Sequence, residues 1–135
     1  MRKIDMIIVH CTATREGGYF NTADVDRWHR ERGFKEIGYH YLIGLGGEIW
    51  KGRDEEIPGA HTKGYNSHSI GVCYVGGLDT KNRPRDTRTV AQKASLLKLL
   101  KELKKRYPAA TIHGHKEFAA KDCPCFDAKE EYKDL

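Results

Sequence analysis

The run Ile70 to Val75, IGVCYV, is apolar throughout. A strand with one wet face alternates apolar and polar side chains, so a run without alternation reads as a central strand, buried on both faces. Ile4 to His10 is rich in β-branched residues and reads as a second strand. Tyr39 to Leu45 and Glu48 to Lys51 form a hairpin about Gly46-Gly47. Ala110 to His113 makes a last short strand. Between these lie helical segments. Thr22 caps one that runs to about Arg32 and stops at Gly33. Thr89 to Tyr107 is the clearest helix. Thr89 and Gln92 form a capping-box pair, Val90, Ala94, Leu97, Leu100 and Leu103 recur at helical spacing, and Pro108 follows. Asp127 to Tyr132 is a short final helix. Residues 52–68 and 76–88 read as loops. The order is β, α, ββ, β, α, β, α, with no repeat or linker. A chain of 135 residues is enough for one core, so a single domain over 1–135 is expected.

Charge narrows the partners. The net charge of +5 admits a polyanion, whether nucleic acid, anionic lipid or acidic peptide. Most lysines of segment 89–107 lie off its apolar stripe, and no aromatic stacking pattern accompanies them. Contact with nucleic acid or a polymerase is therefore not expected. The apolar run in MRKIDMIIVHC is too short for a signal peptide or a membrane span, which predicts synthesis in the cytoplasm and no membrane association. Cys73 sits in the apolar run and reads as a buried small hydrophobe. Cys123 and Cys125 flank Pro124, an awkward arrangement for a mutual disulfide. With Cys11 they form no evident framework, which fits a reducing compartment of synthesis.

The stretch HGHKEFAAKDCPCFD, 113–127, concentrates reactive side chains. His10 ends a strand, where side chains reach a sheet's edge. His115 also follows a strand, and Cys123 comes eight residues later. Two imidazoles and a thiolate converge on one ion if the intervening loop folds back. Three protein ligands plus an open position is the pattern of catalytic zinc, and the soft donor set disfavours magnesium or calcium. Spacing alone leaves this reading and a set of purely structural side chains both open. Hydrolysis also needs a proton-handling group and an oxyanion partner; Tyr39, at the start of the hairpin, and Lys121, two residues before Cys123, are candidates.

Four segments carry a resemblance: IIVHCTAT, GYHYLI, GRDEEIPGAHTKGYNSHSIGVCYVGG and HGHKEFAAKDCPCFD. In this order, over nearly the whole chain, they resemble the zinc-dependent N-acetylmuramoyl-L-alanine amidases of type 2, whose fold the animal peptidoglycan recognition proteins share. The resemblance implies an α/β fold, a mixed central sheet flanked by helices, which agrees with the element order. It implies hydrolysis of the amide between N-acetylmuramic acid and L-alanine in peptidoglycan. By motif, His10, His115 and Cys123 correspond to the zinc ligands, Tyr39 and Lys121 to catalytic residues, and His61, with Asn66 after it, to the substrate groove. An enzyme is expected rather than a peptidoglycan sensor, because non-catalytic relatives typically lack the cysteine. A monomer that reaches the wall by a partner's action or by lysis is expected. Two positions depart from the family pattern. Many members have His-His where this chain has His10-Cys11, and Cys11 is expected on the opposite strand face from His10. Cys125 stands where a small polar residue is common.

Overall fold

Strand β1, Met6–Cys11, runs inside a five-stranded sheet. The computed structural model describes residues 2–135. Strands β2, Thr14–Arg15, and β6, Gly77–Leu78, pair as a separate small parallel ribbon. The main sheet also holds β3, Tyr41–Ile43, β4, Ile49–Lys51, β5, Ser69–Tyr74, and β7, Thr111–Gly114. Its order is β4-β3-β5-β1-β7. All neighbours are parallel except the β3–β4 hairpin, so the sheet is mixed. Three helices cover it: α1, Thr22–Glu31, α2, Val90–Arg106, and α3, Ala128–Glu131.

Every residue of β5 is buried, as an apolar run without alternation requires. Ile70, Val72 and Tyr74 join Ile7, Val9 and Cys11 of β1 in the core under α2 and α3. Cys73 and the following Val75 face the other way, with Val25 of α1, Ile37 and Leu42. Residues Ile7, Val9 and Cys11 thus share one face of β1, which leaves His10 on the face toward α1, as the period of two demands.

Several elements differ in detail from the sequence expectation. The cap of α1 is Asn21 rather than Thr22. Asn21 Oδ1 accepts from the Asp24 amide at 3.1 Å, and Asp24 Oδ2 accepts from the Asn21 amide at 2.9 Å. The Thr89–Gln92 capping box of α2 is present, with bonds of 2.9 and 3.0 Å. Its buried stripe is not the expected one, because Val90 is 87% exposed and the buried set is Gln92, Leu96, Leu99, Leu100 and Leu103. The stripe is headed by an amide: Gln92 Nε2 donates to the carbonyls of Ile43 and Val75. The first hairpin strand begins at Tyr41, so Tyr39 lies just ahead of it.

A buried arginine fastens the C-terminal segment. The Arg88 guanidinium pairs with Asp86 and Glu131, donates to the Tyr132 hydroxyl at 2.9 Å and lies 3.4 Å from the centre of the Phe126 ring. It joins the loop before α2 to α3.

Candidate metal centre

The sheet register sets two histidines side by side. Val9 of β1 is opposite Gly114 of β7 in a parallel pair. One step further along both strands come His10 and His115, on the same face, and their ring centres are 4.5 Å apart. Both sit at the carboxyl ends of parallel strands. There β1 is flanked by β5 on one side and the later β7 on the other, the kind of switch point where open α/β sheets form ligand crevices.

Cys123 reaches them because the loop after β7 folds back on itself. The Lys116 amide donates to the Cys123 carbonyl at 2.7 Å, and the Tyr74 hydroxyl donates to the Pro124 carbonyl at the same distance. Gly114 permits this closure: a Cβ there would stand 2.9 Å from Pro124 Cδ. Donor atoms of His10, His115 and Cys123 all lie within 4.8 Å of one another. Cys123 Sγ is 3.9 Å from His10 Nδ1, and it accepts the Cys11 amide N–H at 3.1 Å. Bonds of about 2.0–2.3 Å to a tetrahedral ion set such donors roughly 3.3–3.8 Å apart, so the cluster needs little adjustment to hold zinc.

The electrostatics favour ligation. Burial, then the neighbouring His61 and His115, hold His10 well below the ordinary imidazole range. Burial and the positive charge of Lys121 lower His115. Both rings therefore offer lone pairs at neutral pH. His10 uses its second nitrogen elsewhere: Nε2 is 2.8 Å from His61 Nδ1 and 3.2 Å from Thr62 Oγ1. His61 fits against β5 because residue 71 is glycine; a Cβ there would lie 2.6 Å from the imidazole. The Asn66 carboxamide oxygen accepts the amides of both His61 and Thr62 at 2.9 Å, which fixes that segment.

Tyr39 lies with its ring centre 5.1 Å from that of His10. Burial, then the nearby Cys73 thiol, raises its pKa well above the phenol range, so it is a neutral hydroxyl. Lys121 is exposed at the rim. A groove of about 470 Å³ opens beside His115, lined among others by His61, Asn66, Arg32, Lys63 and Lys121. It has cations and no carboxylate among its lining residues.

The sequence-predicted site residues therefore gather in one place. His61 and Asn66 line the groove and also brace His10, a double position that a loop motif does not reveal. The sequence reading missed Thr62 altogether. It also gave no role to His29 and His40, which are buried supports: His29 Nδ1 accepts the Gly38 amide at 2.7 Å and His40 Nδ1 accepts the Gly71 amide at 3.0 Å. Burial holds both at about 4.

Residues 1–126 match the profile of the N-acetylmuramoyl-L-alanine amidase family. The chain belongs to this family. The amidase is 42% identical over 128 residues to the endolysin of Klebsiella phage KP32, covering 95% of this chain and 85% of that one. It is 44% identical over 125 residues to the endolysin of Escherichia phage T7, covering 93% and 83%. Among solved structures it resembles the N-acetylmuramoyl-L-alanine amidase LysC from Clostridium intestinale, with a TM-score of 0.81 and 28% identity over 96% of this chain and 82% of that chain. The three-donor cluster thus lies in an enzyme of peptidoglycan hydrolysis, and no helix among the described residues of the amidase is long and apolar enough to cross a membrane.

Proposed function

We propose that the chain is a zinc-dependent amidase, acting as a monomer, that cleaves the amide between the lactyl group of N-acetylmuramic acid and the first L-alanine of the stem peptide. The observation that carries this reading is the convergence of His10, His115 and Cys123 beside a cationic groove in a chain of this family. Zn²⁺ held by these three side chains would supply Lewis acidity and a water acidified to a pKa of about 7.

The remaining work falls to the protein. His10 Nε2–H donates toward Thr62 Oγ1 and His61 Nδ1, which leaves Nδ1, the nitrogen nearer Cys123, free for the metal. The Cys11 amide N–H donates to the Cys123 sulfur and holds it beside the two imidazoles. Lys121, at the groove rim, stabilises the negative charge that develops on the scissile carbonyl oxygen. Tyr39, as a neutral phenol, orients water or gives a proton to the departing amine; it is not a base at neutral pH. The cations Arg32 and Lys63 attract stem-peptide carboxylates. The endolysin relatives support action on the bacterial wall; synthesis in the cytoplasm with later delivery to the wall is the route this reading takes.

The test is mass spectrometry of purified peptidoglycan fragments incubated with the protein, with and without a zinc chelator. Release of stem peptides beginning with L-alanine, abolished by the chelator, is the expected result. Fragments left intact by zinc-loaded protein would overturn the reading.

A further inference from the structure

Cys123 and Cys125 are two residues apart and both approach Cys11: Cys123 Sγ meets its amide, its carbonyl and its thiol, and Cys125 Sγ meets its thiol. Cys123 Sγ faces His10 Nδ1 and the Cys11 amide. Extended backbone would put residues two apart on one face, but the chain turns at Cys125, whose φ is +70°. Its Sγ lies 4.0 Å from Cys11 Sγ and donates to the Gly77 carbonyl at 3.3 Å. Cys11 is 4% exposed and Cys125 is half-buried, so a solute reaches Cys125 first. The backbone around the pair is held by the Cys125 amide on the Asp122 carbonyl and by the Tyr74 hydroxyl on the Pro124 carbonyl. No metal duty falls on either sulfur.

We infer that Cys11 and Cys125 are a modification site, a reversible disulfide beside the metal centre that forms without consuming the metal-binding cysteine and takes a small-molecule disulfide as oxidant. Closing the sulfurs from 4.0 Å to a bond of about 2.05 Å needs side-chain rotation at the half-buried Cys125. The chemistry is ordinary thiol–disulfide exchange. Cys125, as thiolate, attacks one sulfur of the oxidant and releases one thiol. Cys11, as thiolate, then attacks Cys125 Sγ of the mixed disulfide and releases the second thiol. Two cysteine thiols are oxidised to one disulfide, the oxidant is reduced to two thiols, and the two cysteine protons end on them. The bond ties the loop that carries Cys123 to the strand that carries His10. Of the proposed function it uses only the assignment of Cys123 to the metal.

The experiment begins with zinc-loaded protein whose metal content has been measured, so that failure to bind zinc is seen separately. It is then held with excess oxidised glutathione for hours. The expected product is lighter by about 2 Da. Peptide mapping joins the Cys11 peptide to Cys125, and Cys123 is recovered as a free thiol after chelation. Zinc content is unchanged, the thermal midpoint rises by about 5–10 °C, and dithiothreitol reverses both changes. Cys125→Ser, a small and conservative change in a half-buried loop, binds zinc but neither loses the mass nor gains the midpoint. The inference is overturned by unchanged mass, by a glutathione adduct that goes no further, or by a Cys11–Cys123 bond with loss of zinc.

Discussion

At His10 the two ring nitrogens have separate surroundings: Nδ1 faces Cys123, and Nε2 faces the loop of residues 61–62. Its Nε2 is held by Thr62 and His61, and they in turn by the Asn66 amide. Such partners typically change metal affinity by about 10–100-fold. Thr62→Val keeps the shape and removes the acceptor, so zinc affinity measured against a chromophoric chelator should fall by about that factor. Unchanged affinity would show that His10 needs no such brace. Lys121→Ala should keep full zinc content and lose about 10²–10³ in kcat, the scale of one oxyanion donor. Cys123→Ser should lose zinc and activity together; activity in zinc-free Cys123→Ser protein would refute the metal assignment. The three donors were readable in the sequence because each adjoins a strand end or a distinctive motif. Thr62 was not, since a lone threonine in a loop carries no pattern until folding sets it beside His10.

At the scale of elements, the legible features were those with a strong local signal. The apolar run of β5 and the capping box of α2 are both where the residues imply. The stripe of α2 was misread because its buried face includes Gln92, whose amide is satisfied by two strand carbonyls that no local pattern announces. Strands β2 and β6 have two residues each, too few for a period. The clamp at Arg88 escapes sequence reading because Glu131, the partner that ties it to α3, is 43 residues away along the chain. Its guanidinium is 2% exposed while the two carboxylates are 30% and 43% exposed, so losing it unpairs groups that still reach water. Arg88→Met should therefore lower the urea-unfolding free energy by about 2–3 kcal/mol, below the cost of stranding fully buried charges. Stability within a few tenths of wild type would mean that α3 docks through Ala128 and Tyr132 alone.

The whole molecule carries a pH dependence written by its interior imidazoles. His29 and His40 are held at about 4 by burial, against 6.5 for a free side chain. His10, His61 and His115 are shifted the same way, burial first. In this range the unfolded chain binds more protons than the folded one, so stability rises with pH. The zinc-free protein should be evenly stable only between about pH 7 and 8 and should weaken as pH falls from 6.5 toward 4, followed by urea midpoints across that range. A flat profile down to pH 4.5 would mean that these rings are protonated without cost in the fold.

The three clustered donors come from positions 10, 115 and 123, the first strand of the sheet and the segment after its last. A ribosome must pass Cys123 before the chain can assemble all three. His10 is without the other two donors until Cys123, 113 residues further along the chain, has been made. A chain stopped short of β7 holds the first donor alone, so the three-donor cluster exists only once the segment after that strand is present as well.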